Sequence, residues 1–198
     1  GPAAWAFVRD HWDEALERAA EIHGLGELRL DIAYGGAFYA YVDSASAGVE
    51  LEPHNFARLV EVGMRIKHAV MDAVELVHPD GDEDLNFLYG TIFVGPSPGG
   101  NHSRNVCVFA EGEVDRSPTG TGVSGRAALH HARGELALGQ SITIESLIGT
   151  TFDVRVVEET RVGDLPAVVP EITGTAHVTG RHEFLVDPDD PLRDGVLL

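Results

Sequence analysis

Cysteine, positive charge, aromatic side chains and long apolar runs are all scarce in these 198 residues. The single cysteine, Cys107, rules out an internal disulfide framework and fits a reducing, cytoplasmic setting. Lysine and arginine number 14 against 32 acidic residues, and the resulting formal charge of −18 repels phosphate backbones and anionic lipid surfaces. Nucleic acid is an unfavourable partner for such a chain. No apolar stretch approaches the roughly 18 residues that span a bilayer, so no membrane partner is expected either. No metal is expected: the histidines show no H-E-x-x-H spacing, and His130 and His131, adjacent on a helix, point to different sides. The acidic clusters at 80–84 and 187–190 lack the D-x-D-x-D-G spacing of a calcium loop and read as solvated turns.

What is present is 43% hydrophobic, enough for one large domain or two small lobes with a real core. Gly1-Pro2 looks like a tag remnant, and residues 5–22 place Trp5, Val8, Trp12, Leu16, Ala19 and Ile22 at helical intervals, predicting an amphipathic helix. Two β-rich runs over 27–42 flank Gly35-Gly36, a hairpin signal. A broad apolar stripe over 53–77, closed by Pro79, predicts the longest helix. Residues 85–94 and 105–110 read as interior strands, and Cys107, within the apolar run NVCVFA, reads as core. A second helix is expected from Thr121 to Gly134, followed by strands near 142–145, 152–158, 167–169, 176–179 and 184–186. Strands do not alternate regularly with helices, which favours an α+β class over a doubly wound sheet.

The stretch DRSPTGTGVSG, from Asp115 to Gly125, admits three readings. Gly120, Gly122 and Gly125 match G-x-G-x-x-G, but residues 111–118 separate them from the preceding strand, against the dinucleotide fingerprint. The second reading is a small-anion cradle, because Ser117-Pro118 bends the chain and the helix start exposes backbone N–H groups at a positive dipole end. The third is an ordinary helix capped by Thr121.

NVCVFAEGEVDRSPTGTGVSGRAALHHARGEL, together with DIAYGGAFYAYVD, DEDLNFLYGTI, ESLIGTTF and DPDDPLRDG, resembles the proline racemase family over residues 24–198. The resemblance implies an α+β lobe of the proline racemase and diaminopimelate epimerase kind, with mostly antiparallel strands wrapped around a central helix. It also implies that residues 24–171 are a second lobe and 172–198 a segment returning to the first, with the role of residues 1–23 unassigned. In the family's racemases and epimerases the motif reads D-R-S-P-C-G-T-G, and its cysteine is one of two facing each other across the substrate α-carbon. Here Thr119 stands in that place. An alcohol has no accessible anion near neutral pH, whereas a thiol with a pKa near 8.5 does, so two-base racemisation is disfavoured. The same replacement marks the trans-3-hydroxy-L-proline dehydratases.

Carried over from the family, Gly120 and Thr121 hold a substrate carboxylate, Asp115 pairs with the ring ammonium, Phe109 packs on the ring, and Thr119 sits by the departing hydroxyl. No cofactor is implied, and the partner is a small molecule, hydroxyproline or proline. The family's other cysteine lies in an M-C-G-H type motif that does not occur in these residues. The expectation is therefore a shortened chain, inactive alone, that pairs with a missing N-terminal lobe or forms a homodimer. The alternatives are a racemase or epimerase, or a lobe without catalysis.

Overall fold

A computed structural model describes residues 5–6, 18–22, 26–79 and 83–195. Ten strands among them form one curled mixed sheet. They are β1 (Trp5–Ala6), β2 (Arg18–Ile22), β3 (Gly26–Tyr34), β4 (Phe38–Asp43), β5 (Leu88–Gly95), β6 (Ser103–Phe109), β7 (Glu113–Val114), β8 (Ser141–Glu145), β9 (Thr151–Val162) and β10 (Leu165–Thr173). Two helices accompany them, α1 (Phe56–Ala73) and α2 (Gly120–Ala132). The sheet runs β1-β3-β4-β5-β6-β8-β9-β10, with β2 on β3 and β7 on β6.

Most neighbours are antiparallel; the two parallel pairs, β4 with β5 and β6 with β8, are those bridged by α1 and α2. Parallel neighbours need a long crossover, and a helix supplies it. The expected α+β lobe is therefore what the chain forms.

Strand alternation divides the core. Phe38, Ala40, Val42, Val106 and Val108 face α1, where they join its buried stripe of Leu59, Val62, Ile66 and Val70. Tyr39, Tyr41 and Cys107 face the other way, with Leu129 of α2. Val123, Ala127 and Ala128 of α2 pack on Val154, Val156 and Val168 from β9 and β10. Residues 122–129 of α2 are all buried, making it the central helix around which the sheet curls.

Several local expectations are corrected. The helix over 5–22 is absent from its described part, where residues 5–6 and 18–22 are strands and the rest lies outside the described residues. Pairing of Arg18 with Leu30 through Ile22 with Gly26 overrides the local periodicity. Helix α1 stops at Ala73, because Val74 is already extended while its N–H still bonds Val70. Residues 176–179 and 184–186 are not strands: residues 174–195 find no ladder partner, and Val178 and Phe184 are 90% and 86% exposed. The acidic cluster at 80–84 lies partly outside the described residues, and that at 187–190 is an exposed turn as expected.

Candidate active site

The hairpin Gly35-Gly36 and helix α2 determine where the site lies. A side chain on Gly35 would sit 2.2 Å from the Thr121 carbonyl oxygen and 2.6 Å from the Gly125 nitrogen. Gly36 adopts φ +117°, open to glycine at little cost. The hairpin is thus pressed against the first turns of α2, beyond what a turn alone requires. The glycines of the motif divide similarly. A Cβ on Gly122 would meet Ile92 Cδ1 at 2.3 Å, and one on Gly125 would meet the Tyr41 hydroxyl at 2.3 Å, so both serve close packing on the sheet. Only Gly120 is open, its nearest neighbour being Phe152 at 4.0 Å.

The N-cap of α2 is Thr119, not Thr121 as the sequence suggested. Val123 N–H is the first to bond back, reaching the Thr119 carbonyl at 2.7 Å. The amides of Gly120, Thr121 and Gly122 therefore have no acceptor within the helix and carry the positive end of its dipole. Thr119 has φ +69° and ψ +102°, a conformation that a β-branched residue adopts only under constraint. Its side chain does not cap the helix. Instead the hydroxyl donates to Asp115 Oδ2 at 2.9 Å, while Asp115 Oδ1 accepts the Ser117 N–H at 2.8 Å and Ser117 Oγ accepts the Thr119 N–H at 3.0 Å. A carboxylate has about four acceptor positions, so half-buried Asp115 keeps capacity for an incoming cation.

An aromatic wall completes the arrangement. Phe109 stacks on Tyr89 with centroids 5.5 Å apart, Tyr89 meets Tyr39 edge-on at 5.8 Å, and the Tyr39 hydroxyl shares a 2.8 Å hydrogen bond with Thr121 Oγ1. Burial raises the Tyr39 phenol above its ordinary pKa, outweighing the opposing hydrogen bond from Thr121. It is a neutral hydroxyl at physiological pH. Of the five residues singled out from the sequence, Asp115, Thr119, Gly120 and Thr121 lie together at one helix start, and Phe109 is linked to it through Tyr89 and Tyr39.

Cys107 borders this place from behind. It is 1% exposed, and burial pushes its thiol up to about 12, although the nearby Thr119 hydroxyl works the other way. With so little thiolate near neutral pH it cannot act as a base, and it is core as expected. Among the described residues no group of histidine, cysteine and acidic side chains could hold a metal ion. No helix there is long and apolar enough to cross a membrane.

Sequence reasoning missed Tyr39, Tyr89 and Asn105. Asn105, fully buried, donates from Nδ2 to the Pro118 carbonyl at 3.3 Å. The alternation of NVCVFA held the signal: Asn105, Cys107 and Phe109 lie on one strand face, opposite Val106 and Val108.

Relatives share this framework. The chain is 48% identical over 185 residues to the trans-3-hydroxy-L-proline dehydratase of Colwellia psychrerythraea, covering 93% of this chain and 52% of that protein. A solved structure described as a probable proline racemase from Agrobacterium radiobacter K84, with bound carbonate, superposes with a TM-score of 0.84 at 32% identity, over 99% of this chain and 55% of that one. A hydroxyproline epimerase from Agrobacterium vitis with bound trans-4-hydroxy-L-proline gives 0.81 at 37% identity, over 99% and 54%. The chain spans about half the length of these relatives. The Proline racemase family model matches residues 8–197, and with this coverage the chain belongs to the proline racemase family.

Proposed function

We propose that the chain carries the substrate-anchoring half of a trans-3-hydroxy-L-proline dehydratase. The observation that carries the reading is the hydroxyl of Thr119, hydrogen-bonded to Asp115, at the position where a racemase of this family needs a second thiol. The free amides of Gly120 and Thr121 bind the substrate carboxylate at the dipole end of α2. Asp115 pairs with the ring ammonium, and Phe109, backed by Tyr89, packs on the ring. Similarity to a relative bearing the dehydratase name supports the same choice.

The chemistry needs one base. A cysteine thiolate on a facing lobe removes the α-proton, the electron pair forms the C2–C3 double bond, and the C3–O bond breaks. Thr119 turns its hydrogen bond from Asp115 toward the departing oxygen and keeps its own proton; the hydroxide takes a proton from solvent and leaves as water, the thiol returns the α-proton to solvent, and the enamine tautomerises to Δ1-pyrroline-2-carboxylate. No metal or organic cofactor takes part. The facing lobe, or a second copy of this chain in its absence, packs against residues 174–195, where Phe184 and Leu185 stand 86% and 89% exposed. A strict monomer by light scattering at high concentration counts against the second-copy form.

The racemase or epimerase alternative draws on the names of the structural neighbours but lacks a base at position 119. The two chemistries separate in one experiment, with this chain joined to a cysteine-bearing first lobe. Trans-3-hydroxy-L-proline should yield Δ1-pyrroline-2-carboxylate, and L-proline should not racemise. Racemisation without dehydration refutes the proposal, and neither reaction leaves a lobe without catalysis.

A further inference from the structure

Arg126, on the second turn of α2, is 5% exposed. Among the described residues its hydrogen bonds run to Ser103 Oγ at 2.8 Å, Asn105 Oδ1 at 2.7 Å and His130 Nε2 at 3.1 Å, none of them a carboxylate. Burying a guanidinium against neutral partners is costly, so its place calls for a reason. Burial lowers its pKa to about 10, which leaves it a cation at neutral pH. Because a guanidinium can only donate, it forces the Asn105 amide to present Oδ1 toward the helix. The NH2 group of Asn105 is thereby aimed the other way, onto the Pro118 carbonyl at 3.3 Å.

That carbonyl belongs to the peptide joining Pro118 to Thr119. Fixing its oxygen fixes the plane from which Thr119 takes its φ of +69°. The rest of the loop is held on its flanks, with Thr150 Oγ1 donating to the Arg116 carbonyl at 2.9 Å and Asp115 N–H donating to the Cys107 carbonyl at 3.1 Å. The strained peptide itself is held at both its polar atoms, its N–H by Ser117 Oγ at 3.0 Å from within the loop and its carbonyl by Asn105, which ties it to the sheet. We propose that Arg126 and Asn105 are positioning residues: a buried guanidinium orients the Asn105 amide, which locks the Pro118–Thr119 peptide so that the Thr119 hydroxyl is held on Asp115.

The inference rests on the proposed dehydratase reading for its kinetic consequence, but not for its structural one. Asn105→Asp keeps size, keeps an acceptor for Arg126 and adds a charge pair, so the core stays folded, while it replaces the donor facing Pro118 with a repelling oxygen. In the chain joined to its cysteine-bearing lobe, kcat for dehydration should fall about 10- to 100-fold with KM within about threefold, the size expected of a reacting group misplaced by an ångström. A crystal structure of the variant should show Thr119 out of its positive-φ conformation and its hydroxyl off Asp115. Arg126→Lys, which keeps the charge but cannot serve Ser103 and Asn105 as a planar fork, should give a smaller loss of the same kind. Thr119 unmoved in Asn105→Asp overturns the inference, as does a kcat within twofold in an enzyme that dehydrates. If Thr119 moves but the unsubstituted protein does not dehydrate, the positioning role stands and the function reading fails.

Discussion

Helix α1 and helix α2 are built from opposite rules. Along α1 one face carries Leu59, Val62, Ile66 and Val70 into the core, and the other shows Arg58, Glu61 and Arg65 to water, joined by exposed ion pairs at 3.1 and 3.3 Å. Along α2 no polar face survives, and residues 122–129 are buried whether glycine, alanine, serine or arginine. An amphipathic helix advertises itself by its stripe; a helix enclosed by a curled sheet has none. The enclosed helix instead reveals itself by small residues where neighbours press close, and by a buried charge that needs tailored partners. It is also the helix whose first turn opens onto the candidate site. The candidate site thus sits on the element with the weaker sequence signature, in keeping with the rigid, dry support that preorganised binding groups need.

Four substitutions test the contrast between the two helices and the candidate site that α2 carries. The largest effect concerns His130 at the C-terminal end of α2. Burial first and the Arg126 charge second depress its pKa from 6.5 to about 4, against the opposing pull of Glu135. The unfolded chain therefore binds the proton more readily than the folded one. As pH falls from 6.5 to 4, folding stability should drop by about 3 kcal/mol from this group and level off below. Urea unfolding across that window should show the slope, and His130→Gln should remove it; an unchanged slope would mean that α2 is no more enclosed at this end than α1.

Next in size, Asp115→Asn removes the charge offered to a ring ammonium and keeps one acceptor, Oδ1 for the Ser117 N–H, while its NH2 group donates to the Thr119 hydroxyl in place of accepting from it. Substrate affinity measured by calorimetry in the lobe-completed protein should weaken about 10- to 100-fold, as loss of a charge-assisted bond does. Full retention of affinity would place the ammonium elsewhere.

Gly125→Ala tests the packing side. In an open helix, alanine gains roughly 1 kcal/mol over glycine. Here the methyl would meet the Tyr41 hydroxyl at 2.3 Å, a group that donates to the Gly122 carbonyl at 2.7 Å, so a loss of about 1–3 kcal/mol is expected by chemical denaturation. A gain would show that α2 has slack. The smallest effect belongs to α1: Glu61→Gln, which loses two exposed pairs, should shift stability by no more than about 0.5 kcal/mol.

Much of the fold was legible. The stripe of α1, the hairpin at Gly35-Gly36, the apolar runs that became β5 and β6 and the helix after DRSPTG all stand in the structure, with ends shifted by a few residues. The misses share one cause. Residues 18–22 carry a helical pattern but satisfy their backbone on β3, and 176–179 carry a strand pattern but meet no strand. Hydrogen bonding to a distant segment, or its absence, is invisible to a local window.

The candidate site divides in the same way. Residue identity alone sets the chemistry on offer, a carboxylate, a hydroxyl where a thiol is expected, and glycines at a helix start, because it is covalent and needs no fold. How these groups are held came from the packing of the fold. It made Thr119 the cap and tied its hydroxyl to Asp115, assigned Gly122 and Gly125 to packing, and set Asn105 and Arg126 behind the Pro118–Thr119 peptide. The Thr119–Asp115 bond is local to the loop, but the Gly122, Gly125, Asn105 and Arg126 relations join strands to a helix farther along the chain, and only the curl of the sheet brings them into contact.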